Sequence, residues 1–115
     1  MTGSASYVST HVLDAVRGRP AQDVPVSLES RAGSDWERLA EARTDADGRV
    51  SAFGPEWLSA GVYRVVFDTG AWFAAAGTES FYPEVAVVFR VDGRSAHLHI
   101  PLLLSPFAYS TYRGS

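Results

Sequence analysis

Short runs of alternating apolar and polar residues recur along this chain at regular spacing, each closed by a Gly, Pro or Asp turn. Successive side chains of a strand point to opposite faces, so a period of two predicts half-buried strands. From Ser6 to Asp14, Val8, Thr10 and Val12 fall on one face, and Tyr7, Ser9, His11 and Leu13 on the other. Gly18-Arg19-Pro20 breaks that run. Further strands are predicted at Val24–Glu29, Trp36–Thr44, Val62–Asp68 and Val85–Val91, with Pro25 marking an edge or a strand start. The run VAVVFRV from Val85 reads as a buried-type strand, and Asp92-Gly93 as a hairpin turn into the last strand pair. Gly70 to Gly77 is the one convincing helix, bounded by a glycine at each end. Seven or eight short strands with one small helix predict an all-β sandwich.

The last pair carries the most information. From Ala96, the residues Ala96, Leu98, Ile100, Leu102 and Leu104 share one face, and His97, His99, Pro101 and Leu103 the other. The first strand divides the same way, with apolar residues inward and His11 outward. If both strands belong to one sheet, the histidines converge on its outer side. Leu103 and Tyr7 on that side predict a cover, and a neighbouring subunit is the expected one. A Ser105-Pro106 turn leads to a final strand rich in aromatics and hydroxyls, which runs to Tyr112-Arg113-Gly114-Ser115. Terminal residues so able to hydrogen-bond are expected to lie in a site.

The chain's 115 residues are one domain's worth, read as a single domain over 1–115, and 46% hydrophobic with 20% charged residues is a globular composition. A net charge of −3 with ten Lys and Arg gives no basic footprint for nucleic acid and no polybasic membrane patch. There is no Cys, so neither disulfides nor thiolate chemistry enter. The first residues carry no basic region followed by an apolar run, and no apolar stretch nears the roughly 20 residues of a spanning helix. The expected location is therefore the cytoplasm.

An imidazole beside a positioned water suits general-base hydrolysis. His97 and His99, two apart on a strand, could alternatively bind zinc with His11, or all three could be surface residues without a role. Arg49 follows the turn Thr44-Asp45-Ala46-Asp47-Gly48 and could hold a carbonyl-rich or anionic substrate through its fork of donors. The D-x-D-G run lacks the rest of a calcium loop and reads as turn chemistry. No G-x-S-x-G elbow supplies a serine nucleophile. Trp36, Trp57 and Trp72 read as core or cover.

Three blocks carry a family resemblance: STHVLDAVRGRPA from Ser9, TDADGR from Thr44 and HLHIPLLLSPFAYSTYRGS from His97. From about Tyr7 to Ser115 the chain resembles the 5-hydroxyisourate hydrolases of the transthyretin-like family. The third block is the most specific, because its terminal tetrapeptide looks like the one that separates those hydrolases from hormone-carrying transthyretins. The resemblance implies a transthyretin-like (prealbumin) β-sandwich and hydrolysis of 5-hydroxyisourate in purine (urate) catabolism, with a non-catalytic small-ligand carrier as the alternative. It implies that His11, Arg49 and His99 are catalytic, that His11 and Arg49 also bind substrate, and that Tyr112, Arg113, Gly114 and Ser115 join them. His97 is secondary. No cofactor and no metal are implied, and the expected assembly is a homotetramer, a dimer of dimers. Leu98 departs from the aromatic residue usual in the family. It falls on the inward face, where the change should alter packing rather than chemistry.

Overall fold

The computed structural model describes residues 6–114. Nine strands and one helix appear among them: β1 (Val8–Asp14), β2 (Arg19–Pro20), β3 (Pro25–Ala32), β4 (Asp35–Arg43), β5 (Arg49–Phe53), β6 (Gly61–Phe67), α1 (Thr69–Ala75), β7 (Val85–Val91), β8 (Leu98–Ser105) and β9 (Ala108–Thr111). One sheet runs β4-β3-β6-β7. The other runs β2-β1-β8-β9, with β5 pairing to β1 as well. Thus β5 takes the first half of one edge of β1, and β2 takes the last two residues of that edge.

The alternation read from sequence sets the core. Leu98, Ile100, Leu102 and Leu104 from β8 meet Val8 and Val12 from β1, and Val26, Leu28, Val65 and Phe67 from the opposing sheet. Burying each such side chain stabilises the fold by roughly 1.5–3 kcal/mol. A one-residue slip of β8 would push His99 into that core and four apolar side chains out of it, so the register is strongly specified. Leu98 is buried, as its place in the alternation requires. Across the outer face of the four-stranded sheet, Arg64 pairs with Glu29 at 2.6 Å and stacks 4.3 Å from the Trp36 ring centroid.

Four expectations need correction. Asp92-Gly93 does not close a hairpin: β7 belongs to the sheet of β6, while both edges of β8 are taken by β1 and β9, so the chain crosses between sheets here. For the same reason β7 is an edge strand rather than a buried one, and Val88 is 56% exposed. Arg19-Pro20 does not merely end β1 but folds back on it, pairing with Asp14 and Leu13. Tyr7 does not cover the outer face. It precedes β1, is buried in the core, and donates its hydroxyl to Ser95 O at 2.6 Å. Pro25 does begin its strand, but β3 lies between β4 and β6 and is no edge. Trp36 and Trp72 are half-buried and Trp57 is largely exposed against Tyr7, so the tryptophans cover the core rather than fill it.

Candidate active site

The outer face of the five-stranded sheet gathers the chemistry. β1 and β8, remote in sequence, pair in parallel, with Ser9 opposite His99 and His11 opposite Pro101. On the other edge of β1, His11 stands opposite Arg49 of β5. Ser9, His11, His99 and Arg49 therefore share one patch of one face.

Each member is delivered by local chemistry. Asp45 accepts from the backbone N–H groups of Asp47 and Arg49 at 2.9 Å each, which closes the turn that launches β5. Gly48 sits at φ +74°, where a side chain is strained, and a Cβ there would strike the carbonyl oxygen of Val12. Thr44 is buried and donates to Ala21 O at 2.6 Å while accepting from Val24 N at 2.9 Å. The TDADGR block is thus a scaffold for Arg49, and its aspartates are turn chemistry, as expected. Thr10, buried between the two site residues of β1, donates to Ile100 O at 2.6 Å and locks β1 to β8.

The terminal segment reaches the same place by an interrupted ladder. Leu98 N donates to Tyr7 O, so the even-numbered residues of β8 direct their backbone toward β1 and the odd-numbered ones toward β9. Pro101 falls on the β9 side and has no N–H to give. Its carbonyl takes the Thr111 hydroxyl instead, at 2.7 Å. Regular pairing of β9 stops at Thr111 and resumes as one bridge between His99 and Gly114, with Gly114 N donating to His99 O at 2.8 Å. Between these points Tyr112 and Arg113 leave the ladder. They line a cavity of about 340 Å³ with Tyr7, Phe89 and His99, and Arg113 donates to Ser95 Oγ at 2.7 Å. Gly114 packs so closely that an added Cβ would lie 2.6 Å from His99 Cδ2, so glycine is the residue that leaves the ring its place.

His99 is half-buried, and its pKa is held below the ordinary imidazole value. Burial is the main cause, followed by the Arg49 guanidinium and then by His11 and His97. A neutral imidazole at neutral pH is what a general base requires. A separate cavity of about 250 Å³, lined by Ser9, Arg49, Ser51, His97 and His99, opens on the outer face, whereas the cavity of about 340 Å³, walled by Leu98 and Ile100 and by Val87 and Phe89 of the other sheet, lies between the sheets. A further cavity of about 530 Å³ lies at the far end of β1 beside α1 and contains none of the expected site residues.

His97 precedes β8 and is exposed. Its Nδ1 lies 3.1 Å from Ser6 O and its Nε2 2.9 Å from Ser9 Oγ, so both ring nitrogens already face protein partners. That does not fit a three-histidine zinc site, and among the described residues no group of three or more His, Asp or Glu is arranged to hold a metal. Ser115 lies outside the described residues. Sequence reasoning placed Ser9 on the histidine face but gave it no role, although it lies 2.8 Å from His99 Nδ1. The available signal was its position two residues before His11 on the same face.

The sequence model of the HIUase/Transthyretin family matches residues 8–114. The chain is 42% identical over 116 residues to a 5-hydroxyisourate hydrolase of Salmonella typhi, covering 100% of this chain and 85% of that protein. Among solved structures, Klebsiella pneumoniae 5-hydroxyisourate hydrolase is 45% identical and superposes with a TM-score of 0.86, covering 96% of this chain and 99% of that one. A sea bream transthyretin solved with thyroxine is 34% identical with a TM-score of 0.87, covering 94% of each chain.

Proposed function

The chain belongs to the HIUase/Transthyretin family, and from that premise we propose that it is a 5-hydroxyisourate hydrolase of purine catabolism. The carrying observation is the juxtaposition of His99, His11 and Arg49 on one sheet face, with the Tyr112–Gly114 segment bridged to His99. The fold alone does not separate hydrolase from carrier, since both branches superpose equally well. The higher identity to hydrolases and the site chemistry favour the enzyme.

In this reading 5-hydroxyisourate lies against the outer face of the sheet. Neutral His99, with His11 beside it, takes a proton from water, and the water oxygen bonds to a ring amide carbonyl carbon. Arg49 binds the substrate and steadies the negative charge that gathers on the carbonyl oxygen. The carbon–nitrogen bond then breaks, the nitrogen recovers the proton, and the ring opens to 2-oxo-4-hydroxy-4-carboxy-5-ureidoimidazoline. Tyr112, Arg113, Gly114 and Ser115 join the substrate site as the terminal signature, a role supported by the bond from Gly114 N to His99 O. The substrate's reactive carbonyl makes a cofactor unnecessary.

The same reading includes a homotetramer, a dimer of dimers, whose subunit contacts roof the site. The exposure of Tyr112 (61%) and Val16 (67%) in the isolated chain supports it. A cytoplasmic setting belongs with it: the chain has no cysteine and relies on no disulfide, and among the described residues no helix is long and apolar enough to cross a membrane.

The test is the decay of ultraviolet absorbance of freshly generated 5-hydroxyisourate. A hydrolase accelerates the decay, and removal of Tyr112–Ser115 abolishes the acceleration. A carrier leaves the spontaneous rate unchanged, and that result would end the proposal.

A further inference from the structure

Ser9 joins two imidazoles with one hydroxyl. Its Oγ lies 2.8 Å from His99 Nδ1 and 2.9 Å from His97 Nε2, and His97 Nδ1 lies 3.1 Å from Ser6 O. A backbone carbonyl only accepts, so His97 Nδ1 carries the hydrogen of that bond. When His97 is neutral its Nε2 has a lone pair and no proton, and the Ser9 hydroxyl donates to it. A hydroxyl has one hydrogen to give. The Ser9 oxygen must then accept from His99, whose Nδ1 carries the proton. His99 Nε2 is left with the lone pair.

We propose that Ser9 is a positioning residue for His99, and that Ser9 and His97 together hold His99 in its Nδ1–H tautomer with Nε2 free to act as the base. The chain of bonds takes its direction from the Ser6 carbonyl. The exposed His97 thereby gains a definite role. By accepting the Ser9 hydrogen it prevents Ser9 from donating to His99 Nδ1, which would place the proton on Nε2 and leave the base without a lone pair there. Which ring nitrogen works is set by the bond that the other one makes. Gly114 closes the ring in from the terminal segment, so position and tautomer are fixed by different neighbours.

The inference rests on the hydrolase reading for its kinetic consequence, but the tautomer can be measured without substrate. Nitrogen-15 spectra of the histidine side chains are recorded at mildly alkaline pH, above the ordinary imidazole range. The intact protein should show His99 protonated at Nδ1. Ser9→Ala and His97→Ala should each move the proton toward Nε2, while Ser9→Thr, which keeps the hydroxyl, should preserve the tautomer. In the decay assay Ser9→Ala and His97→Ala should each lower kcat about 10- to 100-fold, the cost of losing an outer partner of a metal-ligating imidazole carried over to this base, with KM little changed. The double variant should be no worse than either single one, because the two act as one unit. An intact protein with His99 protonated at Nε2 would overturn the proposal, as would single variants within threefold of the parent in kcat. If the intact protein proves inactive toward 5-hydroxyisourate, the functional reading fails, and the spectra still decide the tautomer.

Discussion

Replacing Gly114 by alanine adds one methyl group where the terminal segment crosses His99. The added carbon would lie 2.6 Å from His99 Cδ2, 3.2 Å from Cγ and 3.2 Å from the His99 carbonyl oxygen. Carbon atoms in contact prefer roughly 3.5–4.0 Å, so the overlap with the ring is on the order of 1 Å. The strand end cannot simply lift away, because Gly114 N is bonded to His99 O and Arg113 is tied to Ser95. The imidazole must turn, and its bond to Ser9 stretches with it. A misplacement of about 1 Å at a reacting group costs around 10²-fold in rate. That is about 2.7 kcal/mol of transition-state stabilisation. The fold should hardly notice, since Gly114 is not part of the buried core. The assay is the initial rate of 5-hydroxyisourate decay across substrate concentrations, with thermal unfolding measured in parallel. Gly114→Ala should lose about two orders of magnitude in kcat/KM with an unchanged melting temperature. A variant within threefold of the parent would refute the reasoning that this glycine makes room for the ring.

Three further outcomes follow from the geometry. The acid limb of kcat/KM should inflect below the ordinary imidazole value of about 6.5, because a lowered His99 pKa keeps the base neutral to lower pH; an inflection at or above that value contradicts the assignment. Arg49→Gln removes the second-largest cause of that lowering, so the inflection in the residual activity should move upward, as read from the pH profile. Gly48→Ala should destabilise the chain by about 1–3 kcal/mol in denaturant unfolding, through positive φ and the collision with Val12 O, and an unchanged midpoint would contradict the scaffold role of the turn.

The sequence made the inward and outward faces of β1 and β8 legible because a period of two leaves little freedom once Val8, Val12, Leu102 and Leu104 must be buried. It made the turn before Arg49 legible because Asp45 and Gly48 act within five residues of each other. The parts it concealed depend on which strands become neighbours. Nothing local in VAVVFRV says that its partner is β6 alone, and nothing in Asp92-Gly93 says that the chain leaves one sheet for the other. Tyr7 departs from its expected face because it precedes β1, where the alternation of a strand no longer applies. Ser9 passed without a role because its significance lies in two imidazoles some 90 positions away, brought to it by parallel pairing. The contact of Gly114 with His99 is hidden for the same reason: only a ladder interrupted at Pro101 and resumed at His99 puts them together.

The most direct measurement is the turnover of 5-hydroxyisourate by His99→Asn, with the protein's mass in solution followed by light scattering on the same sample. Asparagine keeps a polar side chain at the site and loses the base, and positioned acid–base catalysis contributes about 10²–10⁴-fold. Turnover should fall by that factor while the mass stays at that of the parent protein. Parental turnover at the parental mass would show that this imidazole does not activate the water.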